Sequence, residues 1–227
     1  MKVAAIVPAL NEEDSIGPVV AAVPRDLVSE VIVVDNGSAD GTARVAQAAG
    51  ARVVREERRG YGFACAAGVA AAEGFDVLVF LDGDGSDDPS LMGLILRPLE
   101  MDVADLVLGS RMLGSAAPGS LLPHQRLGNL LTASLIWLLY RQRISDVPPF
   151  RAVLRPVLAG LRMNEMTYGW PIEMVVKCAR QRHRIVEVPV VARPRMGGKS
   201  KVSGTVKGTV LAAYYMLGTA VKYAWRD

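Results

Sequence analysis

The sequence is poor in cysteine: only Cys65 and Cys178 occur among its 227 residues. Two cysteines so far apart form neither a disulfide framework nor the close pairs of a zinc site. This excludes a small domain stabilised by disulfides or by zinc. Isolated thiols are typical of a reducing compartment, so we expect the protein in the cytoplasm.

Long hydrophobic runs are also lacking. The two longest, Leu127–Tyr140 and Gly208–Val221, are bounded by arginine or lysine and fall short of the roughly 20 residues that span a bilayer. Residues 1–14 contain a short apolar run that soon meets three acids, without a secretory cleavage pattern. Integral insertion is therefore not expected, whereas attachment to a membrane surface stays open. Leu127–Tyr140 is either an ordinary core helix or a helix lying at such a surface.

The charge is unevenly distributed, although the net charge is only +3. Through Ser110 there are 8 Lys and Arg against 18 Asp and Glu, a balance of −10, and from Arg111 onward 18 against 5, a balance of +13. An acidic half followed by a basic half indicates two tasks, with anionic ligands as candidates for the second. No nucleic-acid-binding module accompanies the basic charge, so we expect no nucleic-acid partner.

The hydrophobic content of 51% excludes a disordered chain, and no repeat or low-complexity linker divides it, which predicts one domain. Short β-branched runs alternate with alanine-rich stretches, which predicts an α/β fold with a mostly parallel sheet flanked by helices. The predicted strands of the first half are Val3–Val7, Val31–Val34, Val77–Leu81 and Leu106–Leu108, and its capped helices are Gly41–Ala49 and Ser90–Leu99. For the second half we predict helices over Leu127–Tyr140, Tyr168–Arg182 and Thr205–Tyr223, a strand over Ile185–Val191 and a basic loop over Arg193–Ser203.

Each strand of the first half ends in polar or glycine residues, and such ends meet at one edge of a parallel sheet, where ligands bind. Asp82 and Asp84, two residues apart after a buried strand, could share a Mg²⁺ or Mn²⁺ ion, although for this pair taken alone a plain polar turn is the better explanation. Asp35 could accept hydrogen bonds from a base or a ribose, or could simply close a turn. Asp40 and Asp88 are interpreted as helix caps.

A dinucleotide fingerprint is absent. Gly60-Tyr61-Gly62 contains two glycines in the right spacing, but it does not follow the first strand, as the fingerprint requires, and the remaining glycine of the motif is missing. This excludes a nicotinamide-dependent oxidoreductase.

Together, these blocks resemble the family 2 glycosyltransferases with the GT-A fold, in particular the dolichol- or polyprenyl-phosphate mannose and glucose synthases. In the first half the resemblance rests on Pro8-Ala9-Leu10-Asn11-Glu12, Val34-Asp35-Asn36-Gly37-Ser38, Gly60-Tyr61-Gly62 and Asp82-Gly83-Asp84. In the second half it rests on Gly109-Ser110-Arg111, then Arg126 and Asn129, Asp146-Val147-Pro148-Pro149-Phe150-Arg151, Tyr168 to Glu173, Glu187-Val188-Pro189 and Arg193 to Lys201. Leu10 replaces an aromatic residue of the family, and Pro148 and Pro149 replace Ser-Gly.

The resemblance implies a role for each group of matching residues. It implies that residues 1–110 bind the nucleotide sugar and that residues 111–227, with the C-terminal helix, bind the acceptor. The implied metal ligands are Asp82, Asp84 and Ser86, the last standing where the branch often has glutamine, and the implied catalytic residues are Asp84, Arg111, Arg126 and Asp146. The implied donor-binding residues are Pro8, Ala9, Asn11, Glu12, Asp35, Gly37, Ser38, Gly60, Gly62, Asp82, Gly83, Arg193, Lys199, Ser200 and Lys201.

The resemblance further implies inverting transfer of a sugar from a UDP- or GDP-sugar to an acceptor, with polyprenyl phosphate as the leading candidate. A phosphate acceptor needs Arg and Lys rather than a general base, and Arg111, Arg126, Arg151, Arg193, Arg195, Lys199 and Lys201 are the candidate suppliers. One alternative is a soluble hydroxyl acceptor, with Asp146 or Glu173 as the base. Another is a silent nucleotide-sugar-binding module, which the intact Asp-x-Asp motif disfavours. The sequence is compatible with a homo-oligomer and with peripheral contact to a membrane.

Overall fold

A seven-stranded sheet organises the chain in the computed structural model, which describes residues 1–120, 123–197 and 206–224. The strand order is β3-β2-β1-β4-β6-β5-β7, and only β6 runs antiparallel to its neighbours. The strands are β1 Val3–Ala9, β2 Glu30–Asp35, β3 Arg52–Arg55, β4 Val77–Phe80, β5 Leu106–Ala116, β6 Arg151–Leu154 and β7 Ile185–Ala192. The helices are α1 Glu13–Ala21, α2 Thr42–Ala48, α3 Tyr61–Ala71, α4 Met92–Glu100, α5 Pro123–Tyr140, α6 Arg155–Leu161, α7 Trp170–Arg180 and α8 Val206–Lys222, and Pro89–Leu91 forms a short 3₁₀ turn.

The central strands are buried on both faces because successive side chains point to opposite sides of the sheet. Ala5, Val7 and Val33 belong to one apolar cluster, which α1 and α4 cover, while Ile6 and Ile32 belong to a second cluster on the other face, under α3 and α7. This confirms the predicted α/β fold with a mostly parallel sheet.

Strand β6 was not predicted, and it decides what lies beside Asp82. It pairs with both β4 and β5, with Arg151 opposite Phe80 on one side and Leu108 on the other. Because β6 is antiparallel, the segment that precedes Arg151 lies at the carboxyl edge of β4. The family-like motif that begins at Asp146 is thereby brought to the edge that holds the Asp82 turn.

None of the helices within the described ranges is long and apolar enough to cross a membrane. The predicted basic loop is described only as far as Gly197, and Lys199, Ser200 and Lys201 lie outside the described residues.

Candidate active site

The loops that follow β1 and β2 interlock at the carboxyl edge of the sheet. The backbone N–H of Asn11 donates to the Ser38 hydroxyl at 2.9 Å, and the Asn11 side-chain oxygen accepts from the Ala39 N–H at 2.8 Å. The N–H of Glu12 donates to the Thr42 hydroxyl at 2.8 Å. Pro8 and Ala9 end β1 opposite Val34 and Asp35, and the Ala9 carbonyl accepts from the Asn36 N–H at 2.9 Å. The predicted donor-binding residues of these two loops are therefore neighbours in space.

Asp35 and Asn36 stand at the end of β2 with different tasks. One carboxylate oxygen of Asp35 accepts from the Ser38 N–H at 2.9 Å across the turn at Gly37, whose φ of 76° favours glycine. The Asn36 amide donates to two backbone carbonyls, and its oxygen accepts from the Gly60 N–H at 2.9 Å. Asn36 thus anchors the glycine turn, a role that the sequence alone did not indicate.

Gly60 and Gly62 are explained by backbone packing. A Cβ at Gly60 would lie 2.5 Å from the Met166 carbonyl oxygen, and one at Gly62 would lie 2.3 Å from the Glu165 carbonyl oxygen. The Gly62 N–H donates to Met166 at 3.1 Å. Glycine is needed here because residues 165–166 approach the start of α3 so closely. The structure shows this packing role, and the predicted contact of these glycines with a donor stays a prediction.

The turn after β4 presents a buried carboxylate, that of Asp84, and a partly buried one, that of Asp82. Asp84 is 7% exposed, and its carboxylate accepts from the Ser86 N–H at 2.9 Å. Within the described part of the chain, no hydrogen-bond donor or ion-pair partner reaches the carboxylate of Asp82. Gly83 lies between them over Ile16, and its carbonyl accepts from the Ser15 hydroxyl at 2.8 Å.

The shielding of this turn has an electrostatic cost. Burial, and then the charges of Asp84 and Asp87, raise the pKa of Asp82 to about 8. Burial likewise raises the pKa of Asp87 to about 7, although the charge of Arg111 opposes that rise. Raised carboxylate pKa values of this kind mark a cluster whose negative charge a bound cation would stabilise.

Residues 193–197 cover the turn and supply positive charge. The backbone N–H groups of Arg193 and Met196 donate to the carbonyls of Ser86 and Asp84, both at 2.9 Å. The Arg195 guanidinium pairs with Asp84 and bonds both carboxylate oxygens of Glu12, at 2.8 and 3.0 Å. Arg193 pairs with Asp88, whose carboxylate also accepts from the Ser90 N–H at 3.2 Å as the predicted cap.

The donor set fits a hard divalent cation. Such ions prefer carboxylate and hydroxyl oxygens, which Asp82, Asp84 and Ser86 supply. Among the residues that the structure describes, no group of three or more His, Cys, Asp and Glu side chains is arranged to hold a metal ion. A cation here would thus need further oxygen ligands from a bound phosphate or water.

The raised pKa values predict a pH-dependent response to divalent cations. The folded chain keeps protons on Asp82 and Asp87 where an unfolded chain, with Asp pKa values of about 4, has lost them. The free energy of unfolding should therefore fall as pH rises from about 4 towards the Asp82 pKa of about 8. Because a bound cation replaces these protons, the rise in Tm with Mn²⁺ should be larger near pH 8 than near pH 6.

Thermal unfolding with and without Mn²⁺ at both pH values checks this expectation. Asp82→Asn should reduce the pH dependence, whereas Asp26→Asn, on the exposed surface, should leave it unchanged. A Mn²⁺ shift of equal size at both pH values would contradict the expectation.

A second cluster surrounds Arg111, at the bend of β5. Its guanidinium grips the carboxylate of Asp146 with two hydrogen bonds of 2.8 Å, and its backbone N–H donates to the same group at 3.1 Å. The Asn129 side chain donates to Asp146 as well, at 2.8 Å. Burial lowers the pKa of Arg111, but the hydrogen bonds and charge of Asp146 outweigh it and raise the pKa overall. Arg111 stays cationic and also acts electrostatically on Asp82 and Asp87, so this cluster adjoins the acidic turn.

Arg126 and Arg151, two other predicted phosphate ligands, are placed differently. Arg126 is exposed in the first turn of α5, one turn before Asn129. Arg151 is fully buried, donates to the carbonyls of Pro148 and Pro149, and lies 4.9 Å from the Phe80 ring centre. Arg151 is therefore a buried cation, none of whose surface is exposed to solvent in this structure.

Comparison with known proteins assigns the chain to a family. The profile of Glycosyl transferase family 2 matches residues 4–160, which is more than half of the chain. The chain belongs to glycosyl transferase family 2. This confirms the family that its motifs resemble.

Relatives of this family 2 glycosyltransferase include enzymes named for lipid-phosphate acceptors. An undecaprenyl-phosphate mannosyltransferase of Micrococcus luteus is 32% identical over 250 residues, covering 98% of this chain and 96% of that protein. A dolichyl-phosphate hexose transferase of Haloferax volcanii is 35% identical over 192 residues, covering 82% of this chain and 81% of that protein. The resemblance to the polyprenyl-phosphate sugar synthase branch is thereby confirmed.

A solved structure confirms the fold. The glucosyl-3-phosphoglycerate synthase of Mycobacterium tuberculosis, in complex with Mn²⁺, UDP and phosphoglyceric acid, has a TM-score of 0.82 to this chain and is 23% identical. The match covers 100% of this chain and 79% of that one. At this identity the likeness establishes the GT-A fold.

Proposed function

We propose that this family 2 glycosyltransferase transfers a sugar, with inversion, from a UDP- or GDP-sugar to polyprenyl phosphate, and that it depends on Mg²⁺ or Mn²⁺. Residues 1–110 would bind the donor and residues 111–227 the acceptor. The observation that carries the proposal is the Arg111 cluster. It places a largely buried guanidinium, which stays positively charged, next to the acidic turn of Asp82 and Asp84. The names of the lipid-phosphate relatives support the same acceptor.

The candidate bases for a hydroxyl acceptor are occupied by structural hydrogen bonds. Asp146 is fully buried and accepts from Arg111 and Asn129. Glu173 is also fully buried and accepts from the backbone of Asn164 and Glu165. Neither can collect a proton from an acceptor without losing these partners. A phosphate acceptor needs no base, since its second pKa of about 6 leaves it anionic at neutral pH.

The reaction then follows from charge and alignment. An acceptor phosphate oxygen attacks the anomeric carbon as the bond from that carbon to the diphosphate oxygen breaks, so one C–O bond replaces another on the opposite face. Arg111 and Arg126 would hold the incoming phosphate in line. A divalent cation on Asp82 and Asp84 would supply neutralisation of the diphosphate charge. Arg193 and Arg195, which already lie over this turn, would add positive charge to the same leaving group.

A direct assay tests the proposal. Purified protein is incubated with Mn²⁺, undecaprenyl phosphate and each of the radiolabelled UDP- and GDP-linked glucose and mannose donors, and the organic extract is counted. We expect label in the extract with at least one donor, and none when undecaprenol replaces its phosphate. Label that reaches only water-soluble acceptors would overturn the lipid acceptor, and no transfer from any donor would favour a silent binding module.

Helix α5 supports peripheral contact with a membrane, as such an acceptor requires. Its outward face exposes a stripe of large apolar side chains at helical spacing, namely Leu127, Leu130, Leu131, Trp137 and Leu138, while Ile136 faces the core. The helix contains no acidic residue, Arg126 lies in its first turn, and Arg141 at its end lies 5.7 Å from the Trp137 ring centre. An apolar face bordered by arginine and tryptophan suits the interface of an anionic bilayer. We infer that α5 docks there beside the acceptor cluster.

Removing two of these leucines should weaken membrane binding. Leu130→Ser with Leu131→Ser removes side chains that are 60% and 53% exposed, so we expect sedimentation with phosphatidylglycerol vesicles to fall about tenfold at little cost in stability. Transfer to a short-chain polyprenyl phosphate in detergent should be retained. Leu94→Ser, on the exposed surface of α4 and 46% exposed, is the matched control. Equal vesicle binding by the double variant and the control would contradict the assigned surface.

A further inference from the structure

Asp146 is itself held by a second carboxylate, that of Glu187. The two oxygens of Glu187 accept from the Ser145 N–H at 3.0 and 2.9 Å, and one of them also accepts from the Ser145 hydroxyl at 2.8 Å and from the Asp146 N–H at 3.2 Å. The loop before β6 is therefore tied to β7 at the residue that grips Arg111.

Glu187 is an unusual residue for its position. It is the third residue of β7, an otherwise apolar strand, and stands opposite Leu108 of β5 in the parallel register. A half-buried carboxylate in such a strand is costly unless it is hydrogen-bonded. Its four hydrogen bonds from residues 145 and 146 offset that cost, and they are directed to this loop.

A second route connects Glu187 to the same guanidinium. The Ser145 hydroxyl lies 2.6 Å from the Ser110 hydroxyl, which accepts from the Leu113 N–H at 3.1 Å. Ser110 is the residue immediately before Arg111. Glu187 is thus connected to Arg111 in two ways. One connection runs through Asp146, the ion-pair partner of Arg111, and the other runs through the Ser145 and Ser110 hydroxyls to the backbone of β5.

We propose that Glu187 is a positioning residue for glycosyl transfer, which fixes the Ser145–Asp146 loop and thereby the direction in which Arg111 presents its charge to the acceptor. The inference rests on the proposed function, because it assigns acceptor binding to Arg111. Strands β5 and β6 separate β7 from β4, the strand that leads into the acidic turn, so the effect of Glu187 should fall on the acceptor and spare the donor. Misplacing a positioned group by about 1 Å can cost roughly 100-fold in rate.

The kinetic test compares Glu187→Gln with Glu100→Gln, an exposed glutamate at the end of α4. For Glu187→Gln we expect the acceptor KM to rise about 10- to 100-fold, the donor KM to stay within about twofold, and Glu187→Asp to recover part of the loss. In an Arg111→Ala background, Glu187→Gln should raise the acceptor KM little further, because Glu187 acts through the Arg111 guanidinium, which is then already absent. Wild-type kinetics, equal losses for donor and acceptor, or full additivity with Arg111→Ala would each overturn the proposal. Should Glu187→Gln fail to fold, Ser145→Ala interrupts the same connection and is measured in its place.

A second readout needs no substrate. In the wild type, the Arg111 side-chain N–H bonded to Asp146 should give a slowly exchanging ¹⁵N signal, assigned by its loss in Arg111→Lys. Glu187→Gln should speed that exchange about tenfold or more, whereas Glu100→Gln should not. Unchanged exchange would overturn the positioning role even if the acceptor proves not to be a lipid phosphate. Lack of lipid transfer by the wild type, with the expected change in exchange, would overturn only the proposed function.

Discussion

Replacing Asp84 by Asn should lower sugar transfer about 100- to 1000-fold, the usual cost of losing one preorganised electrostatic group, while the fold should be retained. The amide is nearly isosteric and its oxygen can still accept from the Ser86 N–H, a bond of 2.9 Å in the native chain. What is lost is the negative charge that pairs with Arg195. A divalent cation would then be held by one carboxylate fewer.

Two measurements check the Asp84 prediction. Initial rates over a Mn²⁺ titration should show a lower maximum and a higher half-saturating concentration, and the Tm rise with Mn²⁺ should shrink. Asp26→Asn, an exposed substitution far from the turn, should match the wild type in both. Undiminished transfer with the same Mn²⁺ dependence in Asp84→Asn would show that this carboxylate does not hold the metal.

The second large effect is expected at Arg111. Arg111→Lys keeps the positive charge but cannot form the two-bond fork that grips Asp146, so the lysine cannot present its charge in the same direction. We expect kcat/KM for polyprenyl phosphate to fall about 100-fold, with donor binding unchanged. Arg111→Ala should lower kcat/KM further. It should also lower the free energy of unfolding by about 3–5 kcal/mol, because it leaves the buried carboxylate of Asp146 without its ion-pair partner.

The control for Arg111 is Arg44→Lys, which alters an ion pair to Glu13 in which the arginine side chain is 76% exposed. Exposed pairs of this kind contribute little, so neither stability nor kcat/KM should change. Acceptor-saturation curves and urea unfolding of the three variants separate the effect on binding from the effect on folding. A fall in donor affinity equal to that in acceptor affinity would place Arg111 on the donor instead.

Much of the first half could be predicted because its signals are local. The apolar runs at Val3–Val7 and Val31–Val34 lie within β1 and β2, since a strand buried on both faces must be apolar throughout. The cap at Asp88 was readable for the same reason, as its partner is two residues away. The order of the motifs along the sequence was also enough to identify the family.

The second half depends on partners that are far apart in the sequence. The strand Arg151–Leu154 is too short to be seen as a pattern, and its place between β4 and β5 follows from pairing with both. Burial of Arg151 follows from that placement, and no local pattern in the sequence indicated it. The helix Leu127–Tyr140 was left open between core and membrane surface, and the structure shows a core face and an exposed leucine face on one helix.

By itself, the sequence determined the fold class, the family and the edge of the sheet where the acidic and polar loops meet, because hydrophobic period and strand-end residues are properties of neighbouring positions. Only the tertiary structure decided which charges act together. Arg111 is matched to Asp146 across 35 residues and Asp146 is held by Glu187 across 41. Arg195 donates a hydrogen bond to Glu12, which lies 183 residues earlier in the sequence. Such pairs form when the sheet brings distant strand ends within hydrogen-bond distance, and no local pattern records that distance.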